Sequence, residues 1–181
     1  MSEDDDAELV RRCVRGDRRA FERLVLRYQK PVYNAALRML RHPEDARDVA
    51  QTVFLKAYEH LADYDPTHRF YSWLYRIALN ESINQLNGRK RVAPVPEDEP
   101  SNGPGPEQVL DAELSGRRIQ AALMTLSDEY RAVIVLRHFV DCSYEEMAEV
   151  LQVPEKTVKS RLFSARQLLR DALQQTGMTQ P

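Results

Sequence analysis

This sequence of 181 residues has few cysteines, no long apolar run and a small net charge. The two cysteines, Cys13 and Cys142, argue against a disulfide framework. No apolar run approaches the roughly 20 residues that a membrane-spanning helix needs. The acidic start at residues 1–6 lacks the basic and apolar regions of a signal peptide. We therefore expect a cytoplasmic protein with no membrane insertion of its own.

Sequence patterns of catalysis are missing as well. The chain has no glycine-rich phosphate loop and no nucleophile motif. His138 and Cys142 are four residues apart and could share a helix face, but no further ligands have the spacing of a metal site. We predict a protein that is not an enzyme and that binds neither a metal nor a cofactor.

The distribution of charge says more than the net charge of −2, which gives no general attraction to nucleic acid. Residues 94–116 hold six of the 28 acidic residues and none of the 26 basic ones. The sequence on either side of this stretch is therefore mildly basic.

A proline-rich stretch at 93–106 divides the chain. It contains five of the ten prolines and two of the six glycines. Proline lacks a backbone donor and disfavours helix in the residue before it, and acids and prolines without aromatics cannot form a packed core. We predict a first domain at residues 1–93, a flexible linker at 94–107 and a second domain at 108–176.

Both predicted domains have the apolar spacing of amphipathic helices, and no segment alternates with the period of a strand. Helix starts are marked by Asp17, by Pro43 and by Ser127. Pro31 lies inside one apolar row, so we expect a kink or a short break there. The predicted fold class is all-α, with two small helical domains.

The last two predicted helices have the spacing of a helix-turn-helix. Ser143 and Glu146 form the pattern of a capping box, the helix runs to residue 151, and after a turn of about three residues the next helix covers 154–172. The exposed side of this last helix carries Lys156, Lys159, Arg161, Arg166 and Arg170. Its first turns offer donors suited to a major groove, although a solvated basic face would have the same composition.

An aromatic cluster lies in the first predicted domain. Within twelve residues the chain has Tyr64, Phe70, Tyr71, Trp73 and Tyr75, with arginines between and after them. Rings and cations together suit unstacked single-stranded bases. An aromatic core with a basic rim accounts for the cluster about as well, because aromatic residues dominate cores.

Five segments resemble, in order along the chain, the extracytoplasmic-function sigma factors of bacteria. Residues 70–80, FYSWLYRIALN, resemble the promoter-melting region of that family. Residues 16–28 resemble its opening helix, and residues 45–54 resemble the helix that docks on the polymerase clamp. Residues 126–148 and 157–162 resemble the domain that reads the upstream promoter element.

The resemblance implies a sigma factor that binds core RNA polymerase and promoter DNA and is held inactive by a dedicated anti-sigma factor. The implied polymerase-binding residues are Arg47, Asp48, Gln51, Thr52 and Leu55. Those implied at the −10 element are Tyr64, His68, Phe70, Tyr71, Trp73, Tyr75, Arg76 and Asn80. Those implied at the −35 element are Arg137, Lys156, Thr157, Lys159, Ser160, Arg161, Phe163, Ser164 and Arg166.

Melting implies a pocket for a base that leaves the stack, since an unstacked base costs a few kcal/mol unless it is received. We expect Tyr64, Phe70 and Asn80 to form this pocket, with His68 at its rim.

Two other functions are compatible with parts of the sequence. A stand-alone helix-turn-helix regulator would bind duplex DNA, but it has no use for the aromatic cluster or for the clamp-like helix. A helical adaptor without DNA contact leaves the basic last helix unexplained.

Overall fold

A computed structural model describes residues 5–92 and 107–178, and within these ranges the chain is helical without any strand. This confirms the all-α prediction. The predicted linker lies outside the described residues except for its last position. The helices are α1 Asp6–Val14, α2 Arg18–Leu40, α3 Pro43–Glu59, α4 Phe70–Val92, α5 Glu107–Met124, α6 Asp128–His138, α7 Tyr144–Leu151 and α8 Glu155–Met178, with a 3-10 turn at Leu61–Asp63.

Capping side chains fix the helix starts that the sequence marks. The Asp17 carboxylate accepts hydrogen bonds from the backbone N–H of Arg19 at 3.0 Å and of Ala20 at 3.3 Å. The Ser127 hydroxyl accepts one from Tyr130 N–H at 3.4 Å. Each bond satisfies a donor that has no partner within its helix, which stabilises these starts.

Of the kink or short break expected at Pro31, the break does not occur, because α2 runs from Arg18 to Leu40 as one helix. Pro31 is exposed, whereas the neighbouring Val32 and Ala35 are buried. The proline ring therefore points away from the core, and the packing of α2 against α1, α3 and α4 outweighs the one hydrogen bond that proline removes.

The first four helices enclose one apolar core around α2. Its fully buried members include Leu24, Met39, Leu40, Val53 and Leu74. Helix α2 packs against both α3 and α4, and α3 packs against α4. Burial of each such side chain contributes roughly 1.5–3 kcal/mol to stability, and this shared core holds α3 and α4 in place against α2.

The second helix group, α5 to α8, is organised around a buried arginine. Arg131 is only 4% exposed, and its guanidinium donates to the carbonyl oxygens of Leu123 and Leu126, both at 3.0 Å. Burial lowers the pKa of Arg131 below its ordinary value. These carbonyls belong to the end of α5 and the turn after it, so Arg131 fastens α6 to that corner.

The two helix groups pack against each other. A further nitrogen of Arg131 donates to the carbonyl oxygen of Met39 at 2.7 Å, near the end of α2. The guanidinium of Arg38 lies over the ring of Phe139, 4.5 Å from its centroid. Helix α7 of the second group also packs on α4 of the first.

Three residues that the apolar pattern assigns to core faces are exposed. They are Val14 at 56%, Tyr58 at 50% and Leu168 at 45%. Val14 is the last residue of α1. Tyr58 has an edge contact with Phe21 at 5.0 Å between centroids, so its ring is covered on one side only.

In the described parts of the chain, no helix combines the length and the apolar character needed to cross a membrane.

Candidate functional site

The helix-turn-helix has the predicted geometry. Helix α7 ends at Leu151, and Gln152 turns the chain with a left-handed backbone (φ 55°) before α8 begins at Glu155. At the start of α7, Glu146 N–H donates to the Ser143 hydroxyl at 3.2 Å, and Ser143 N–H donates to the Glu146 carboxylate at 2.7 Å. The predicted capping box is thereby confirmed.

The solvent face of α8 carries most of the residues predicted at the −35 element. Lys156, Lys159, Ser160, Phe163 and Arg166 are exposed, while Thr157, Arg161 and Ser164 are half-buried. Phe163 is 68% exposed, with no apolar cover from its own domain. A large ring held in water next to cations is typical of a contact surface.

Two cations of this face are already paired within the second helix group. The ammonium of Lys159 lies 2.5 Å from a Glu155 carboxylate oxygen, and this contact raises the pKa of Lys159. Arg161 pairs with Glu129 at 3.2 Å. Both pairs are partly exposed, so each is weak and can exchange its carboxylate for a phosphate.

Arg137 has a structural contact that its predicted role in phosphate binding did not include. It donates to the carbonyl oxygen of Cys142 at 2.8 Å, and its guanidinium lies 5.4 Å from the Tyr144 ring centroid. Lys159 lies at the same distance from that ring. Arg137 therefore fixes the loop that leads into α7, and Tyr144 lies between two cations.

Two rings predicted to contact the −10 element belong to the core. Phe70 is 2% exposed and lies 5.8 Å from each of the rings of Tyr28, Tyr64 and Trp73. Tyr75 is 5% exposed, and burial raises its pKa to about 12. Neither ring offers a free face to a base in this conformation, and direct contact of the two residues with the −10 element stays a prediction.

The predicted base pocket is not assembled as one site. Asn80 is exposed but follows Phe70 by ten residues of α4, which separates the two by about 15 Å along the helix axis. Tyr64 is half-buried, and its hydroxyl donates to the carbonyl oxygen of His68. The predicted pocket combined suitable residue types without considering the rise of the helix, and this rise separates Asn80 from the ring of Phe70.

The cations at the start of α4 contact α7 instead. Arg69 lies 2.7 Å from a Glu146 carboxylate oxygen, and Arg76 donates to the carbonyl oxygen of Glu149 at 3.2 Å. His68 Nδ1 lies 3.4 Å from the carboxylate of Glu149. The sequence did not predict this contact. The capping box already accounts for Glu146, and no residue near Glu149 in the sequence indicates a contact with α4.

Burial and hydrogen bonding tune the two acid–base groups at this contact. Burial raises the pKa of Tyr71 to about 12, and its hydrogen bond to Glu146 acts in the same direction. For Glu146, burial opposes ionisation, but the hydrogen bonds from Tyr71 and Ser143 and the charge of Arg69 outweigh it and hold the pKa below its ordinary value. Glu146 is thus an ionised acceptor at neutral pH.

The predicted polymerase-binding strip is exposed on α3. Arg47, Asp48, Gln51 and Leu55 are exposed, and Thr52 is half-buried with its hydroxyl donating to the Asp48 carbonyl at 3.0 Å. The opposite face of α3 is buried against α2 and α4.

A groove of about 620 Å³ runs between this strip and α2. Its walls are Val25, Gln29, Lys30 and Tyr33 on α2 and Arg47, Ala50, Gln51 and Phe54 on α3. The large apolar side chains Leu26 and Leu55 are 69% and 59% exposed on the same two helices. The α2 wall was missed because every polymerase-binding residue that the resemblance implies lies on α3.

The remaining candidate, a metal site at His138 and Cys142, is not formed. His138 accepts a hydrogen bond from Arg166 at 3.3 Å, whereas Cys142 is buried. Throughout the described ranges, no three His, Cys, Asp or Glu side chains are grouped so that they could hold a metal ion.

Two family models match the chain, one in each helix group. The family model described as Sigma-70 region 2 matches residues 24–92, which include the groove and α4. The model described as Sigma-70, region 4 matches residues 116–169, which include the helix-turn-helix. The RNA polymerase sigma-H factor of Pseudomonas aeruginosa is 36% identical, over 96% of this chain and 96% of its own. The ECF RNA polymerase sigma factor SigW of Bacillus subtilis is 34% identical, over 91% and 94%.

The chain belongs to the extracytoplasmic-function sigma factors. Among solved structures, CnrH in complex with the cytosolic domain of CnrY is similar with a TM-score of 0.73 and 31% identity, covering 93% of this chain and 97% of CnrH. This sigma factor directs RNA polymerase to promoters for transcription initiation, and its family consists of proteins that are not enzymes.

Proposed function

We propose that this sigma factor uses three separate surfaces: the α2–α3 groove for core polymerase, α4 for the −10 element and α8 for the −35 element. In this assignment the first domain, 1–93, melts DNA and the second, 108–176, reads duplex DNA. The observation that carries the proposal is the groove, since a protein that only binds DNA has no need of a groove between two helices that also expose Leu26 and Leu55.

The upstream surface is the exposed side of α8. Lys159, Ser160 and Phe163 share this side and reach base edges, with the Phe163 ring suited to a thymine methyl group. Lys156 and Arg166 are placed to contact phosphates. Half-buried Thr157, Arg161 and Ser164 flank this set, and Arg137 acts through the loop that it holds.

The downstream surface is a revised set of residues on α4 and the loop before it. Tyr71, Trp73 and Arg76 are half-buried and Asn80 is exposed, so these side chains can reach unstacked bases and the backbone. Phe70 and Tyr75 support them from the core. His68 and Tyr64 form the edge of this surface rather than a closed pocket with Asn80.

The polymerase surface is proposed to receive the coiled coil of the largest polymerase subunit. A coiled coil presents apolar and charged side chains in a row, which matches a groove lined by apolar residues together with Lys30 and Arg47, with exposed Asp48 next to Arg47 on α3. Interfaces of this kind combine an apolar centre with a polar rim.

Control by an anti-sigma factor is part of the proposal. CnrH, which covers most of this chain in the structural comparison, was solved together with the cytosolic domain of CnrY. We further propose that the protein acts in the cytoplasm, where polymerase is found, and that it contributes no catalytic group of its own.

The proposal is tested by changing Asp48 and Gln51 together to Ala and measuring retention on immobilised core polymerase. Both side chains are exposed, so the unfolding transition should stay unchanged while affinity for core falls at least tenfold, which corresponds to about 1.4 kcal/mol. A matched control changes Asp171 and Gln174 to Ala, an acid and an amide that are exposed on α8 and do not line the groove.

Normal retention of the Asp48 and Gln51 variant would refute the polymerase surface. It would favour a stand-alone helix-turn-helix regulator if duplex DNA binding by the free protein were also strong and sequence-specific.

A further inference from the structure

A cavity of about 480 Å³ lies where the two helix groups meet. From the first group it is lined by Asn34, Ala35 and Arg38 of α2 and by Tyr75 of α4. From the second group it is lined by Phe139 and Val140, which directly follow α6. Its volume is within the range of pockets that bind small molecules, and such pockets occur preferentially between domains.

The cavity is lined by one cation, Arg38, and by no acid. Arg38 is half-buried, and one nitrogen of its guanidinium donates to the side-chain oxygen of Gln120 at 3.1 Å. Among the described residues, no carboxylate pairs with this guanidinium. A guanidinium carries five N–H donors, so several remain for a ligand. A partly buried charge without a counterion gains free energy when an anion binds beside it.

Tyr75 is a second, independent indication of a ligand site. It is only 5% exposed, yet within the described ranges its hydroxyl forms no hydrogen bond. Buried polar groups normally have a partner, because leaving one without a partner costs free energy. Burial raises the pKa of Tyr75 to about 12, so the hydroxyl keeps its proton at neutral pH and can donate to an anion. The exposed amide of Asn34 adds a further polar group to the same lining.

The rest of the lining suits an apolar body. The Phe139 ring is 41% exposed although it is large, and Ala35 and Val140 add aliphatic surface. Aromatic rings bind other flat rings by stacking or by edge contacts. Because the polar groups of the cavity are a cation and donors, the ligand that fits combines one negative charge with a flat apolar body.

We propose that this cavity binds a small aromatic carboxylate, whose charged group contacts Arg38 and Tyr75 and whose ring packs against Phe139. The site has no residue in common with the α2–α3 groove and shares only Tyr75 with the residues implied at the −10 element. Because the ligand contacts both helix groups, its binding favours the state in which they are joined. The sigma factor thereby has a small-molecule ligand in addition to its macromolecular partners.

The probes are 2-naphthoate and its neutral analogue 2-naphthamide, which differ in charge but hardly in shape. Each is titrated into the isotope-labelled full chain and followed by NMR chemical shifts. We expect 2-naphthoate to bind with a Kd of roughly 1 mM, as suits a ligand of its size, and to shift the signals of Asn34, Phe139 and Val140 most. The affinity for 2-naphthamide should be at least about fivefold lower, because it lacks the charge that Arg38 receives. Saturating 2-naphthoate should also raise the unfolding temperature.

Two variants test the polar groups separately. Arg38→Gln should weaken 2-naphthoate binding at least about fivefold and leave 2-naphthamide binding unchanged. Arg18→Gln is the matched control, since it removes the same charge at an exposed position at the start of α2 and should change neither affinity. Tyr75→Phe keeps the ring and removes only the hydroxyl, and it should weaken 2-naphthoate binding roughly two- to fivefold.

Arg38 also contacts Gln120 and Phe139, so small-angle X-ray scattering checks whether Arg38→Gln separates the helix groups. If the radius of gyration rises in that variant, Tyr75→Phe decides, because the hydroxyl makes no hydrogen bond among the described residues. Equal affinity of the parent for the two probes, or full 2-naphthoate affinity in Tyr75→Phe and in a compact Arg38→Gln variant, would overturn the anion site. Shifts confined to the α2–α3 groove, at Ala50 and Phe54, would overturn it as well.

Discussion

Helices α4 and α8 both carry cations proposed to meet DNA, but their cations have different partners. On α8, Lys159 pairs with Glu155 of the same helix, and Arg161 pairs with Glu129 of the same helix group. At α4, Arg69 and Arg76 contact Glu146 and Glu149 of the other helix group. A pair within one group persists when the groups separate, whereas a pair between them is lost.

The two helices also differ in the exposure of their phenylalanine rings. Phe163 of α8 is 68% exposed, but Phe70 of α4 is 2% exposed and surrounded by rings. The α8 face is therefore ready for duplex DNA as it stands. The α4 surface combines buried aromatic rings with an outer layer of cations that contact α7.

The largest expected effect comes from truncating these two phenylalanines. Phe70→Ala should lower the free energy of unfolding by roughly 3–5 kcal/mol, because it leaves a cavity among packed rings. Phe163→Ala should change it by less than about 0.5 kcal/mol, because the ring is exposed. Urea denaturation followed by circular dichroism measures both values.

Phe70→Leu is the control, since it retains most of the apolar volume and should lose much less stability. Equal stability of the Phe70→Ala variant and the parent would show that the ring is free to contact bases and would remove the contrast between α4 and α8.

An intermediate effect is expected within the α8 face. Lys159→Ala should reduce discrimination at one base pair of the −35 element by roughly 1–3 kcal/mol, because Lys159 faces base edges. Lys156→Ala should instead weaken binding to all sequences and lower the salt slope by about one, as loss of a phosphate contact does. Holoenzyme selection from duplexes with a randomised upstream element measures the preference.

If both lysine variants change only the salt slope, α8 binds through the DNA phosphates and Lys159 does not read the base sequence. The contrast with α4 would then be one of exposure alone.

The smallest expected effect concerns α7, which packs against both α4 and α8. Ser143→Ala removes the hydroxyl that accepts from Glu146 N–H and should cost roughly 0.5–2 kcal/mol of stability. Because α7 both precedes α8 and covers α4, the loss should also increase hydrogen exchange at the start of α4. Mass spectrometry of exchanged peptides measures this change.

Ser143→Thr keeps a capping hydroxyl and should behave like the parent. Increased exchange in α7 without any increase in α4 would mean that the cover does not depend on the start of α7.

Several elements of the fold could be predicted because their causes are local. The caps at Asp17, Ser127 and Ser143 depend on side chains within three residues of the groups they satisfy. The three-residue turn before α8 also has a local cause. The exposure of the α3 strip follows from helical periodicity.

Other features of the structure depend on neighbours that are distant in sequence. Pro31 remains within a helix because α2 packs against five other helices, and the local preference for a break is smaller than that packing. Phe70 is buried because Tyr28, 42 residues earlier, supplies a ring beside it. Asn80 was grouped with Phe70 by chemistry, although helical rise separates them.

By itself, the sequence determined the all-α class, the helix-turn-helix with its capping box and the basic face of α8, since each depends on periodicity or on contacts within a few residues. The tertiary structure alone decided that Phe70 is buried among rings, that α2 supplies half of the groove, and that Glu146 and Glu149 contact Arg69 and Arg76. These features join side chains from different helices, and their distances are fixed only when the helices pack.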